Sequence, residues 1–200
     1  MRGPNPELER RIREECLALL MEKEPEEIGM REIAARAGVS ATALYYYFAD
    51  KDRLFDAVKR DCLERMDAHI ARDVAAAPTM PETIKAGLSA FRDWCFENPR
   101  IALLVMGRFR PNEDPSAETQ APYYRSTALA RDLLDRAVAE GFSKSADTLL
   151  DAALAVAALW GAIESILYKR TVPEYWERGV EFTDRMIELV CGRLLNGKEG

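Results

Sequence analysis

The chain of 200 residues has one histidine, four cysteines and no glycine-rich phosphate loop, and each shortage removes a class of chemistry. His69 has no second histidine or cysteine beside it, so neither a zinc site nor a histidine-activated nucleophile is expected. Cys16, Cys62, Cys95 and Cys191 stand singly, without the paired spacing of a metal or redox motif, and read as reduced, mostly buried fillers. No metal, no cofactor and no catalytic residue is expected. Apolar runs are also short: the richest, Ala152 to Leu167, falls below membrane-spanning length and contains Glu164. The opening MRGPNPELERR lacks the apolar core of a signal peptide, so the expectation is a cytoplasmic protein with no membrane partner. A basic excess is missing as well, with 28 Lys and Arg against 34 Asp and Glu for a net charge of −6. No stretch alternates as a strand would.

Helical periodicity fills the space that these absences leave. Asn5-Pro6 is a helix start, with Asn as cap and Pro at the first helical position, and Ile12, Cys16, Leu19 and Leu20 give an amphipathic helix ending near Lys23. From Arg31 to Lys51 the chain reads REIAARAGVSATALYYYFADK. Ile33, Ala34 and Ala37 form one small apolar face, Gly38 stops that helix, and Ser40 caps the next. In the second short helix Ala41, Leu44, Tyr45 and Phe48 are placed on one side, leaving Thr42, Ala43, Tyr46 and Tyr47 on the other. Tyrosines have little stability reason to sit outside so short a helix, but a helix entering a DNA groove can use phenol hydroxyls on phosphate oxygens. Small residues at its leading end, Ser40, Ala41 and Thr42, allow close approach to base edges. Lys51 opens the next helix, where its ammonium and the helix amides are suited to a phosphate. This pattern is a helix-turn-helix with a phosphate clamp.

IAARAGVS followed by LYYYF and KDRLF resembles the DNA-binding domain of the tetracycline-repressor (TetR/AcrR) family of bacterial transcription regulators, over Arg11 to Phe55. The resemblance implies that Ser40, Ala41, Thr42 and Tyr46 face the major groove while Tyr45, Tyr47 and Lys51 hold the backbone, with Arg31 counted among the DNA-contacting set. The chain departs from the family in carrying Ile28-Gly29 where a threonine or serine often opens the second helix, and Tyr47 where histidine is common. Acids dominate before Gly29 and bases lead slightly from Gly29 to Arg60, which predicts a mildly positive reader and specificity from paired half-sites rather than from charge.

Leu54, Phe55, Val58, Cys62, Met66 and Ile70 continue one apolar face into a long connecting helix over 51–74. Pro78 and Pro81 break it. Further helices are expected over 82–97, 99–109, 123–140, 145–169 and 173–195, with a polar, proline-rich loop at 110–122. The fold class is therefore all-α: an N-terminal three-helix DNA-binding domain, 1–50, and a helical effector-binding and dimerisation domain, 51–200. The alanine-rich run DAALAVAALWGAIESIL invites close approach of another helix and predicts a homodimer built from it and the last helix. A small-molecule effector of largely apolar character is expected among Phe91, Trp94, Met106, Phe109, Tyr123, Tyr124, Trp160 and Tyr168, although aromatics at helical spacing more often form plain core. Glu164 either orients a ligand or reaches the rim and pairs with an arginine. The function expected from the resemblance is a repressor that binds a pseudo-palindromic operator in double-stranded DNA and is released by that effector. An activator, an effector-free regulator, or a helical enzyme or lipid carrier with a vestigial helix-turn-helix are the alternatives.

Overall fold

The computed structural model describes residues 5–106 and 124–197. Among the described residues there are nine α-helices and no strand. They are α1 (Pro6–Glu22), α2 (Met30–Arg36), α3 (Ala41–Tyr47), α4 (Lys51–Ala76), α5 (Met80–Glu97), α6 (Pro99–Met106), α7 (Arg125–Ala139), α8 (Thr148–Leu167) and α9 (Gly179–Leu194). The chain forms two compact units, Met1–Cys62 and Leu63–Gly200, so the division falls within α4 rather than at its start.

In the first unit the caps lie where local chemistry places them. Asn5 accepts from the Glu7 amide at 3.0 Å and Ser40 from the Ala43 amide at 3.1 Å, each satisfying a donor that the first turn of a helix leaves free. Gly29 caps α2 with extended backbone and no side-chain bond, so the residue that replaces a hydroxyl there supplies only its carbonyl, to Glu32 and Ile33. Gly38 adopts φ +67 after α2, a conformation that an L side chain resists. Ile12, Cys16, Leu19, Ile28, Ile33, Leu44, Leu54 and Val58 are buried together as the core of the unit.

The second unit packs α8 against α7, α9 and α5, with α5 also touching α6, α7 and α9. Arg92 on α5, 7% exposed, donates to Asp184 on α9 at 2.6 Å and ties those two helices together. Gly179 opens α9 under the side chain of Ile166, and a Cβ there would meet Ile166 Cγ2 at 2.7 Å. Expectation and structure differ at 173–195: Pro173–Tyr175 is a separate 3-10 turn and the helix begins only at Gly179. Trp176 is therefore outside that helix, its indole donating to the Thr171 carbonyl at 2.9 Å. The membrane-length argument also changes, because α8 starts at Thr148 and its 20 residues are long and apolar enough to cross a membrane. Its packing on three other helices gives the apolar content a second use as core.

Candidate nucleic-acid interface and effector cavity

Helix α3 is only seven residues long, and Leu44, fully buried, is its single buried anchor. Everything else on the helix follows from that anchor. Tyr46 is 65% exposed, and Tyr45, one residue on from Leu44, is exposed with it rather than lying on the inner side. The reason is geometric: successive helical residues are about 100° apart, so the neighbour of a fully buried residue on a narrow helix turns away from the core. Thr42 and Ser40 are exposed, and Ala41 and Ala43 are half-buried. Tyr46 and Tyr47 meet edge to face with ring centroids 5.4 Å apart, which stiffens the pair.

Two residues expected at phosphates have protein partners. The Tyr47 hydroxyl accepts from the Asn5 amide at 3.0 Å and so fastens the head of α1 to α3. The Lys51 ammonium donates to the carbonyls of Pro25 and Ile28 at 3.0 and 3.1 Å, and lies 5.4 Å from the centre of the Phe55 ring. Those carbonyls belong to the segment before α2, so Lys51 braces the helix-turn-helix from beneath. An ammonium has three donors, and one remains for an anion.

Four bases of the unit, Arg10, Arg13, Lys23 and Arg36, are engaged by its acids. Arg36 is clasped by Glu22 and Glu15, at 2.6 and 3.2 Å, and its side-chain hydrogen bond to Glu22 holds that carboxyl below its ordinary range. Arg13 pairs with Glu9 and Asp61, Arg10 with Glu7 and Glu14, and Lys23 with Glu32. Arg31 and Arg53 are exposed and make no ion pair among the described residues, which leaves them free to meet an anion. Arg53 is not among the residues expected at DNA. It stands two residues into the helix that Lys51 opens.

In the second unit a cavity of about 50 Å³ lies among α4, α5, α7, α8 and α9, with Ile70, Leu88, Phe91, Leu133, Ala155 and Leu194 on its walls. Among the described residues its one polar side chain is Ser126. Of the aromatic set expected to hold an effector, only Phe91 lines this space. Trp94 is buried elsewhere in the core, Met106 and Trp160 are half-buried, and Tyr124 and Tyr168 are exposed. Phe109 and Tyr123 lie outside the described residues. Glu164 is 3.7 Å from Arg170, whose guanidinium also covers the Tyr168 ring at 4.6 Å, so the carboxylate has the rim pairing of the plainer alternative.

The exposed side of α8 carries Leu150, Ala153, Leu154, Ala157 and Gly161, a continuous stripe at helical spacing. Leu154 is 58% exposed, and on α9 Leu189 is 70% exposed.

Comparison with known proteins agrees with this architecture. The family profile described as bacterial regulatory proteins, tetR family, matches residues 12–58, and that of the tetracyclin repressor-like C-terminal domain matches residues 84–189. Among curated proteins none matches. A protein of unknown function from Rhodococcus sp. RHA1 shares the fold with TM-score 0.80 at 19% identity, over 98% of this chain and 97% of that one. The TetR family transcriptional regulator PfmR of Thermus thermophilus gives 0.65 at 20% identity, over 95% and 100%. The superantigen PfiT has the same fold, with TM-score 0.70 at 16% identity over 96% and 100%, so the fold by itself does not fix a function. Profile matches to both units, the second covering more than half of the chain, show that it belongs to the tetR family of bacterial regulatory proteins.

Proposed function

We propose that the protein is a non-enzymatic regulator of transcription that binds a pseudo-palindromic operator in double-stranded DNA as a homodimer, represses, and is released by a small molecule in its second unit. The observation that carries the reading is α3: a helix anchored by Leu44 alone, with Tyr45, Tyr46 and Thr42 exposed behind a Ser40 cap. A surface so rich in phenols on so short a helix suits a major groove, with Ser40, Ala41, Thr42 and Tyr46 toward bases and Tyr45, Arg31 and Arg53 toward phosphates. Lys51 adds its remaining donor to the phosphate set and Tyr47 fixes the helix in place. The acidic net charge of the chain keeps non-specific affinity low, so discrimination comes from two readers on half-sites about one helical turn apart.

The second reader comes from a second copy. The apolar stripe of α8 and the exposed Leu189 of α9 form a surface that a like pair of helices covers, giving a four-helix contact. Replacing both Leu154 and Leu189 by Glu is expected to give a folded monomer in analytical ultracentrifugation that no longer holds the operator. A double variant that remains dimeric sinks this interface.

Release requires that the ligand prefer the form that does not fit the operator. A hundredfold loss of operator affinity corresponds to about 2.7 kcal/mol of coupling. The lever is α4, which carries Ile70 in the cavity wall and Lys51 under the reader in one helix of 26 residues. The small volume of the cavity favours a second reading, a regulator without an effector. Selection of fragmented genomic DNA by the purified protein decides first: an inverted repeat near a few promoters supports the regulator, and no enrichment by a folded dimer overturns it. Deleting the repeat then reports the sign, because loss of a repressor site raises the neighbouring promoter.

A further inference from the structure

Among the described residues the side chains of α3 make one hydrogen bond to another helix, and Tyr47 makes it. The Tyr47 hydroxyl accepts from the Asn5 amide at 3.0 Å, while the Asn5 side chain accepts from the Glu7 amide at 3.0 Å. Asn5 thus gives its side chain to α1 and its backbone N–H to α3. The half-buried Tyr47 ring is also the surface against which Tyr46 lies, edge to face with centroids 5.4 Å apart, and Tyr46 is the most exposed ring of the helix at 65%. A continuous line of contact therefore runs from the head of α1, through Tyr47, to the outermost ring of α3.

That line matters because α3 is otherwise held by apolar contact. Leu44 within the helix and Phe48 at its end are buried. Apolar contact is non-directional, so it fixes the depth of a helix better than its rotation about its own axis. Tyr47 stands one turn beyond Leu44, about 4.5 Å along the axis and about 60° round it. A hydrogen bond there prefers a straight line from donor to acceptor, and so sets the rotation that Leu44 leaves free. The other end of the bond is itself held. Helix α1 buries Ile12, Cys16, Leu19 and Leu20, and its Arg13 donates to Asp61 on α4 at 2.7 Å and to Glu9 at 2.8 Å. Asn5 is about 12 Å along the helix axis from that tie, on a helix fixed at both ends.

We propose that Tyr47 is a positioning residue for base selection: pinned at its hydroxyl by the Asn5 amide, it holds the Tyr46 ring at one angle to the groove, so the preference for particular bases depends on the head of α1. The inference rests on the DNA-reading role of α3 above and adds the residue that orients the reader. Tyr47 acts through Tyr46, and its own oxygen serves α1.

Two duplexes separate positioning from phosphate contact: the operator selected from genomic DNA, and a scrambled duplex of equal length and composition. A phosphate contact acts on every sequence alike, and a loss of folded protein lowers both affinities by one factor. Tyr47→Phe keeps the ring and removes the hydroxyl. It is expected to weaken the operator about tenfold and to leave the scrambled duplex within about twofold. The base positions at which it relaxes preference are those that Tyr46→Ala relaxes. Asn5→Pro removes the same bond from the other side, since proline has no N–H and residue 5 already has φ −89 and ψ 110, which a proline before Pro6 can adopt. It is expected to copy Tyr47→Phe, and the double variant to lose no more than either alone. Asn5→Gly keeps the amide and loses only the side-chain cap, and binds as the parent does. Equal weakening of both duplexes makes Tyr47 a phosphate contact and overturns the proposal, as do additive losses in the double variant or an operator affinity that Tyr47→Phe leaves unchanged. Should Asn5→Pro not fold, Tyr47→Phe decides alone. Failure of the DNA-reading role shows in the parent, which then selects no sequence; failure of the pin shows only in variants of a parent that does.

Discussion

The two units use polar and apolar groups in opposite ways. The first has three short or medium helices and the start of α4 held by cross-links between side chains and backbone: Tyr47 to Asn5, Lys51 to Pro25 and Ile28, Arg36 to Glu15 and Glu22. The second is held by longer helices with an apolar core, and it leaves apolar surface uncovered both inside, as a cavity, and outside, along α8 and α9. A helix that must be narrow enough for a groove cannot bury much, so its orientation has to come from directional bonds. A unit proposed to receive a ligand and a second copy cannot bury everything. Each unit is thus under-packed at the surface on which its proposed partner acts.

The largest effect comes from removing the one buried anchor of α3. Leu44→Ala is expected to cost about 2–5 kcal/mol. All three tryptophans, Trp94, Trp160 and Trp176, lie in the second unit, so their fluorescence should unfold at an unchanged urea concentration while part of the helical circular dichroism is lost earlier. Coincident shifts of both signals would erase the distinction between the units. Next is the brace. Lys51→Met keeps the stem and removes two charge-assisted bonds to carbonyls, an expected loss of about 1–3 kcal/mol on the same early transition, with weaker binding to every DNA sequence. Unchanged stability with weakened DNA binding would make Lys51 a phosphate contact only.

The smallest effect sharpens the comparison from the other side. Burial pushes the Asp67 carboxyl up from its ordinary value, Arg125 opposes this and Glu64 adds to it. A carboxyl raised in the folded state costs stability above its folded value, and the cost disappears as pH falls below its unfolded value, about 3.9. Asp67→Asn is therefore expected to raise the Tm slightly at pH 7, with the gap to the parent closing toward pH 4. A lower Tm at pH 7 would mean that the pairing with Arg125 outweighs burial.

Much of the fold is legible because it is written locally. Asn5, Ser40 and Gly38 sit at helix ends for reasons contained within four residues, and the apolar face of Leu54, Val58, Cys62, Met66 and Ile70 follows from spacing alone. The break before Gly179 is not legible, since Trp176 keeps helical spacing with Val180, while the turn there is closed by backbone bonds from Tyr175, Trp176 and Arg178 and by the indole bond to Thr171. Spacing next to Leu44 places Tyr45 inward, and the narrow helix puts it outside. Of the aromatic residues expected around an effector only Phe91 lines the cavity: bulky rings fill space, and its walls are formed where small and aliphatic residues such as Gly87, Ala130 and Ala155 meet.

By itself the sequence determined an all-helical chain, its caps and stops, the phenol-rich helix and the family to which the chain belongs. These depend on hydrogen bonds and face periodicity that close within a turn or two. Tertiary structure decided what Lys51 and Tyr47 hold, 26 and 42 residues away, and which of the many apolar residues surround a space. It also brought Asp67 and Arg125 from separate helices to within 2.9 Å. Those outcomes depend on which helix faces meet, and spacing along one helix carries no record of what packs across from it.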